Sequence, residues 1–242
     1  VGLDTGLGQI QKWIEEGREC PVAARKGEVH QIDVRNDYLP FLLKYKEDWS
    51  GLKIAMDVSN GMASLLVKDI FGDQPAYIYD DMDGRFPNHE PNPLVPANVV
   101  DLQKLVAQTK ADIGIIFDGD ADRVMFVDEN SRFISPDLMI AVLGHYFLEE
   151  RGEKGYVHQD IRSSKAVGEY LAPMGGVMNT WRVGRAYAAL KLRELDGVFG
   201  GELAGHYYFR DFFYSDSGML AAILITNVVA KMKAKGVSLS QL

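Results

Sequence analysis

Cysteine is almost absent: Cys20 stands alone, so no disulfide can close within the chain, and a reducing, cytoplasmic setting is expected. Long apolar runs are missing too. The longest, residues 219–230, is too short to cross a bilayer and is interrupted by Asn227. Basic residues are the minority, 26 Lys and Arg against 34 Asp and Glu, giving a net charge of −8 and a pI near 5.2. That balance argues against nucleic acid or an anionic membrane as the main partner, while a local cationic cluster or a metal still allows a small anionic ligand. No initiating Met and no basic-plus-apolar leader precede Val1, so a piece of a longer polypeptide is expected. What is present is ordinary globular protein, 242 residues with 47% hydrophobic and 25% charged, enough for two domains.

The most informative stretch is Asp118-Gly119-Asp120-Ala121-Asp122-Arg123, set between the apolar runs 113–117 and 124–127. Three carboxylates at i, i+2 and i+4 repel one another and raise each other's pKa, which a bound cation relieves. With only hard oxygen donors and no His or Cys beside them, Mg²⁺ suits Asp118, Asp120 and Asp122 better than Zn²⁺. A solvated acidic turn is the plain alternative. An EF-hand would use Asp118, Asp120, Asp122 and Glu129, but Arg123 stands where the sharp turn needs Gly, and strands rather than helices flank the loop. A haloacid-dehalogenase-like phosphatase with Asp118 as nucleophile is the enzymatic alternative.

Along the chain, Ile10, Trp13 and Ile14 mark one face of a short helix, and residues 18–33 read as a linker or a hairpin. A second helical pattern starts near Tyr38. Then the period changes: strands over 53–58, 76–79 and 111–117 alternate with helices over 62–71 and 97–110. The second half repeats the alternation, with helices over 136–151, 164–171, 185–195 and 217–235 and strands over 155–159, 177–181 and 197–199. Such alternation predicts tandem α/β domains with mostly parallel, mixed sheets flanked by helices, divided near Ile134, and places the aspartate loop beyond the carboxyl end of a strand.

The second half also ends on a glycine loop, Gly200-Gly201-Glu202-Leu203-Ala204-Gly205-His206. The glycines are expected to permit positive φ and close backbone approach, and Glu202 could accept hydrogen bonds from two neighbouring hydroxyls of a sugar. A tight turn with a surface Glu is the equal alternative.

The two loops, in this order, resemble those of the α-D-phosphohexomutases, the phosphoglucomutase and phosphomannomutase family. Residues 118–123 resemble its metal loop, 201–206 its sugar-recognition loop, and Phe86-Pro87-Asn88-His89-Glu90-Pro91-Asn92-Pro93 a segment preceding the metal loop. Trp181-Arg182-Val183-Gly184-Arg185 is similar to its Val-Gly turn. The resemblance implies that 1–35 is the tail of a first domain and a linker, 36–134 a metal-binding domain and 135–242 a sugar-binding domain. It also implies that a phosphoserine domain and a fourth, phosphate-binding domain lie outside this chain.

As the resemblance has it, a phosphoserine enzyme moves a phosphoryl group between the 1- and 6-positions of a hexose phosphate through a hexose bisphosphate, with Mg²⁺ on Asp118, Asp120 and Asp122. Glu202, Gly201, Gly184 and Arg185 would bind substrate. Arg123, His206 and Arg162 are the catalytic candidates, His206 being better matched to acid–base work and Arg162 to charge stabilisation. Arg185 replaces a His and Ala204 a Ser of many relatives, which leaves glucose against mannose open. The fragment alone is expected to be inactive; a non-catalytic metal- and sugar-binding module is the non-enzymatic alternative.

Overall fold

The computed structural model describes residues 2–242 and comprises two units, residues up to Asn36 and Asp37–Leu242. The first holds a 3-10 turn, Leu3–Thr5, and helix α1, Leu7–Glu15, none of whose residues is buried. Ile10, Trp13 and Ile14 lie exposed as one stripe, and the Arg18 guanidinium sits 4.7 Å over the Trp13 ring. Residues 18–33 contain no strand, so the hairpin alternative falls. Helix α2, Arg35–Leu43, begins at the junction.

The second unit contains two five-stranded sheets of the same plan. In the first, β1 (Ile54–Asp57), β2 (Ala76–Ile78) and β3 (Ile113–Phe117) are parallel, while β4 (Val124–Asp128) and β5 (Phe133–Ile134) return antiparallel, in the order β2-β1-β3-β4-β5. Helices α3, Val67–Phe71, and α4, Val100–Thr109, connect its parallel strands. The second sheet follows α5, Leu138–Gly144, with β6 (Gly155–Asp160), β7 (Gly176–Trp181) and β8 (Phe199–Gly201) parallel and β9 (Tyr207–Phe209) and β10 (Ser215–Asp216) antiparallel, in the order β10-β9-β8-β6-β7. Its connecting helices are α6, Lys165–Leu171, and α7, Arg185–Glu194. Residues 118–123 join β3 to β4 and residues 202–206 join β8 to β9, so each candidate loop leaves the central strand of its sheet.

Several helices are more broken than periodicity predicts. Residues 62–71 form a 3-10 turn, Met62–Leu65, and then α3, and 97–110 open as a 3-10 turn, Pro96–Val99. The stretch 136–151 passes from α5 into a π-helical turn, His145–Glu150.

The last helix, α8 (Gly218–Ala234), ties the two sheets together. Ser217 caps it, its hydroxyl accepting from the Leu220 N–H at 3.1 Å. From Gly218 to Val229 every residue of it is buried, which suits a stretch that is apolar on nearly every face. Its side chains share one hydrophobic cluster with Ile115 and Phe126 of the first sheet and Phe199 and Phe209 of the second. Each fully buried side chain of this kind contributes about 1.5–3 kcal/mol, so the core runs without a break past Ile134.

Candidate functional site

The aspartate loop is held from below by the turn after β1. The Ser59 hydroxyl donates to the Phe117 carbonyl at 2.7 Å and the Met62 N–H to the Gly119 carbonyl at 3.0 Å. Ser59 and Asn60 both take left-handed backbone conformations, as does Ala121 in the loop itself, and such strain collects at functional sites. Gly61 is required there: a Cβ on it would lie 2.8 Å from the Gly119 carbonyl oxygen. The proline-rich stretch is tied to the same turn. Asn88 Nδ2 donates to Asn60 Oδ1 at 2.8 Å, and His89 Nε2 is 3.1 Å from the buried Asp57 carboxylate.

Carboxylate oxygens of Asp118, Asp120 and Asp122 lie within 4.8 Å of one another. Asp118 is buried, Asp122 half-buried and Asp120 exposed. Burial raises the Asp118 carboxyl above its ordinary value against the pull of Arg123, and burial with the neighbouring Asp118 and Asp120 charges pushes Asp122 up to about 6 against the pull of His206. In both the largest cause is burial of the charged form, a cost that a bound cation would offset. The trio offers only hard oxygens and opens to solvent at Asp120, which fits Mg²⁺. Arg123 folds back onto the loop, its Nε donating to Asp118 Oδ2 at 2.7 Å.

The glutamate loop abuts the aspartate loop directly. Arg123 and His206 form an isolated antiparallel bridge, and the Val124 N–H donates to the Gly205 carbonyl at 3.2 Å. Of the three loop glycines only Gly205 has positive φ (88°). Gly200 and Gly201 lie in β8 instead, where the bare Cα is needed for packing: a Cβ would come 2.6 Å from that of His158 or 2.7 Å from Ile140 Cγ1. Glu202 is buried, and its Oε1 accepts from the Gly184 N–H at 3.2 Å, so Gly184, with φ 128°, opens α7 against the glutamate loop. Burial raises the Glu202 carboxyl, partly offset by that hydrogen bond and by His206.

His206 Nδ1 is 2.8 Å from Asp216 Oδ2 and 3.8 Å from Asp122 Oδ1. Burial disfavours the charged imidazole, but the Asp216 hydrogen bond and the acidic neighbours outweigh it and lift its pKa above the ordinary value. Arg185 reaches Asp216 Oδ1 through Nε at 2.9 Å and Asp122 Oδ2 through Nη1 at 3.2 Å. Arg162 pairs with the buried Asp160, Nη2 to Oδ2 at 2.8 Å, which raises its already high pKa and keeps it charged. Thus the sequence-predicted residues converge, His89 enters from the 86–93 segment without having been singled out, and Asp216 and Asp57 join the site unannounced by any motif. Their signal was positional: Asp57 ends a strand before Ser-Asn-Gly, and Asp216 precedes a helix cap.

Comparison with known proteins matches residues 36–131 to the phosphoglucomutase/phosphomannomutase alpha/beta/alpha domain II and residues 135–242 to domain III. The chain belongs to the phosphoglucomutase/phosphomannomutase family. Among the similar members of that family, a phosphomannomutase of Salmonella montevideo is 35% identical over 253 residues, 100% of this chain and 55% of the relative. A Burkholderia thailandensis phosphoglucomutase/phosphomannomutase family protein superposes with a TM-score of 0.82 at 28% identity, over 93% of this chain and 50% of that one. An Aspergillus fumigatus N-acetylphosphoglucosamine mutase, solved with GlcNAc-6P and magnesium, shares the fold at TM-score 0.62 and 14% identity, over 86% of this chain and 52% of that one. The chain spans about half the length of the curated relatives it matches. Among the described residues no helix is long and apolar enough to cross a membrane.

Proposed function

We propose that the whole protein is a phosphohexomutase, moving a phosphoryl group between the 1- and 6-positions of a hexose through a bisphosphorylated sugar, and that this chain supplies its metal loop and sugar grip. The observation that carries the reading is the main-chain pairing of the two loops, which sets the acidic trio beside Glu202 and His206. Asp118, Asp120 and Asp122 would hold Mg²⁺, the ion present in the Aspergillus relative's structure, and when bound it supplies positive charge against the oxygens of the transferring phosphoryl group.

The remaining roles belong to side chains. Glu202 accepts hydrogen bonds from the sugar's 3- and 4-hydroxyls, a pair that stays usable when the sugar turns around. Gly184 fixes that carboxylate, and Gly201 sets the strand from which it projects. Arg123, Arg162 and Arg185 oppose phosphate charge, since phosphoryl transfer needs positioning and electrostatics more than covalent help. His206 takes the proton of the attacking hydroxyl and returns it. The phosphoserine is that of the family's first domain, so turnover is assigned to the whole protein and binding alone to this chain.

Calorimetric titration of the chain with Mg²⁺ and with a hexose 1,6-bisphosphate, and ³¹P NMR of hexose 1-phosphate conversion by the whole protein primed with bisphosphate, test this. Binding of both and a shift of the phosphate signal from the 1- to the 6-position are expected. Release of inorganic phosphate with Asp118 trapped by beryllium fluoride would overturn the reading in favour of a phosphatase.

A further inference from the structure

Asp216 is buried, its side chain 0% accessible like those of Asp57 and Asp160, and both of its oxygens are engaged. It lies on the short edge strand β10, opposite Tyr208 of β9. One oxygen faces His206 Nδ1 at 2.8 Å and the other faces Arg185 Nε at 2.9 Å, with the Ser215 hydroxyl at 3.3 Å from the same atom. A buried carboxylate without partners is costly, so Asp216 depends on the His206 and Arg185 donors.

The distances also decide which acid governs the histidine. At 2.8 Å Asp216 is within hydrogen-bond range of Nδ1, whereas Asp122 at 3.8 Å is beyond it. A carboxylate can only accept, so Nδ1 carries the hydrogen. Among the described residues Nε2 has no hydrogen-bond partner, and the ring is partly exposed. Arg185, gripped by Asp216, turns its Nη1 onto Asp122, so the same carboxylate also fixes the cation next to the metal loop.

We propose that Asp216 is a positioning residue: it accepts the Nδ1 hydrogen of His206, locks the ring so that Nε2 is the atom offered to the sugar hydroxyl, and anchors Arg185 beside Asp122. In the proton step the hydroxyl hydrogen passes to Nε2 while Nδ1–H remains on Asp216, and the reverse step returns it. Fixing the unused nitrogen of a histidine in this way sets its tautomer and orientation. The inference rests on the acid–base reading of His206, but its structural half stands without turnover.

The test uses ¹⁵N-histidine-labelled chain, with His206 assigned by its loss in His206→Gln. Long-range ¹H–¹⁵N correlation is expected to show neutral His206 as the Nδ1–H tautomer in the unsubstituted chain and as a mixture, or as Nε2–H, in Asp216→Asn. In the whole protein Asp216→Asn is expected to lower kcat by about 10² or more with little change in KM, the size of a general acid–base contribution. An Nε2–H tautomer in the unsubstituted chain overturns the proposal even if the variant fails to fold. An unchanged tautomer and kcat in a folded Asp216→Asn overturns it as well. If the tautomer behaves as expected but His206→Gln leaves turnover intact, the acid–base reading fails and the positioning of His206 survives.

Discussion

Gly218, the first residue of α8, touches the main chain of Arg123: a Cβ built on it would lie 3.1 Å from the Arg123 carbonyl oxygen and 2.6 Å from that of Ala121. The helix that joins the sheets therefore also presses its first turn against the metal loop. Gly218→Ala is expected to cost about 1–3 kcal/mol through overpacking, and to weaken Mg²⁺ binding because the loop must move. Urea unfolding and calorimetric Mg²⁺ titration measure both, with Gly51→Ala, where the added methyl meets open space, as the silent control.

Asp120 is the exposed member of the acidic trio. Replacing it with Asn removes one like charge, so the metal-free chain should melt slightly higher. The same change removes a ligand, and Mg²⁺ affinity should fall by about tenfold or more. Thermal melts with and without Mg²⁺ check the opposite signs; a variant melting lower without metal would count against repulsion in the loop.

His89 links the proline-rich stretch to Asp57, and that hydrogen bond lifts its pKa above the ordinary 6.5. A histidine whose folded pKa is raised contributes stability in full below its unfolded value and loses it as pH climbs through the folded one. The unfolding free energy of His89→Gln should therefore fall short of the parent's by about 1.5–3 kcal/mol in acid, the worth of a hydrogen bond to a charged group. The gap should narrow steadily on the alkaline side of 6.5. Equal gaps at both ends would remove the charged pair from the account.

Asn227 lies in the buried middle of α8. It accepts from the Trp49 indole at 2.7 Å and donates to the Tyr45 carbonyl at 2.8 Å. Asn227→Leu leaves the buried Trp49 N–H and the half-buried Tyr45 carbonyl without this partner, at about 1–3 kcal/mol for the buried one. Because α8 serves both sheets, amides of β3 and of β8 are expected to lose exchange protection together, and loss confined to one sheet would contradict a shared core.

Much of this was legible beforehand. The apolar run of β3 and the all-round hydrophobicity of α8 announced themselves because burial on every side leaves little choice of residue. The two-residue strands β5 and β10 did not, since their pairing comes from tertiary contact rather than from pattern. Residues 62–71 broke at Leu66 because the first turn is pulled towards the aspartate loop by the Met62 bond to Gly119, a long-range contact no periodicity carries. Likewise the three site carboxylates with motif spacing stood out, whereas Asp216 acts through a partner distant in sequence on another strand.

The placement of α8 bears on how the polypeptide acquires its shape during synthesis. Strands β3 and β4 lean on a helix made only after about a hundred further residues have been added. Until then one side of the earlier sheet lacks the apolar cover that α8 gives it in the finished fold.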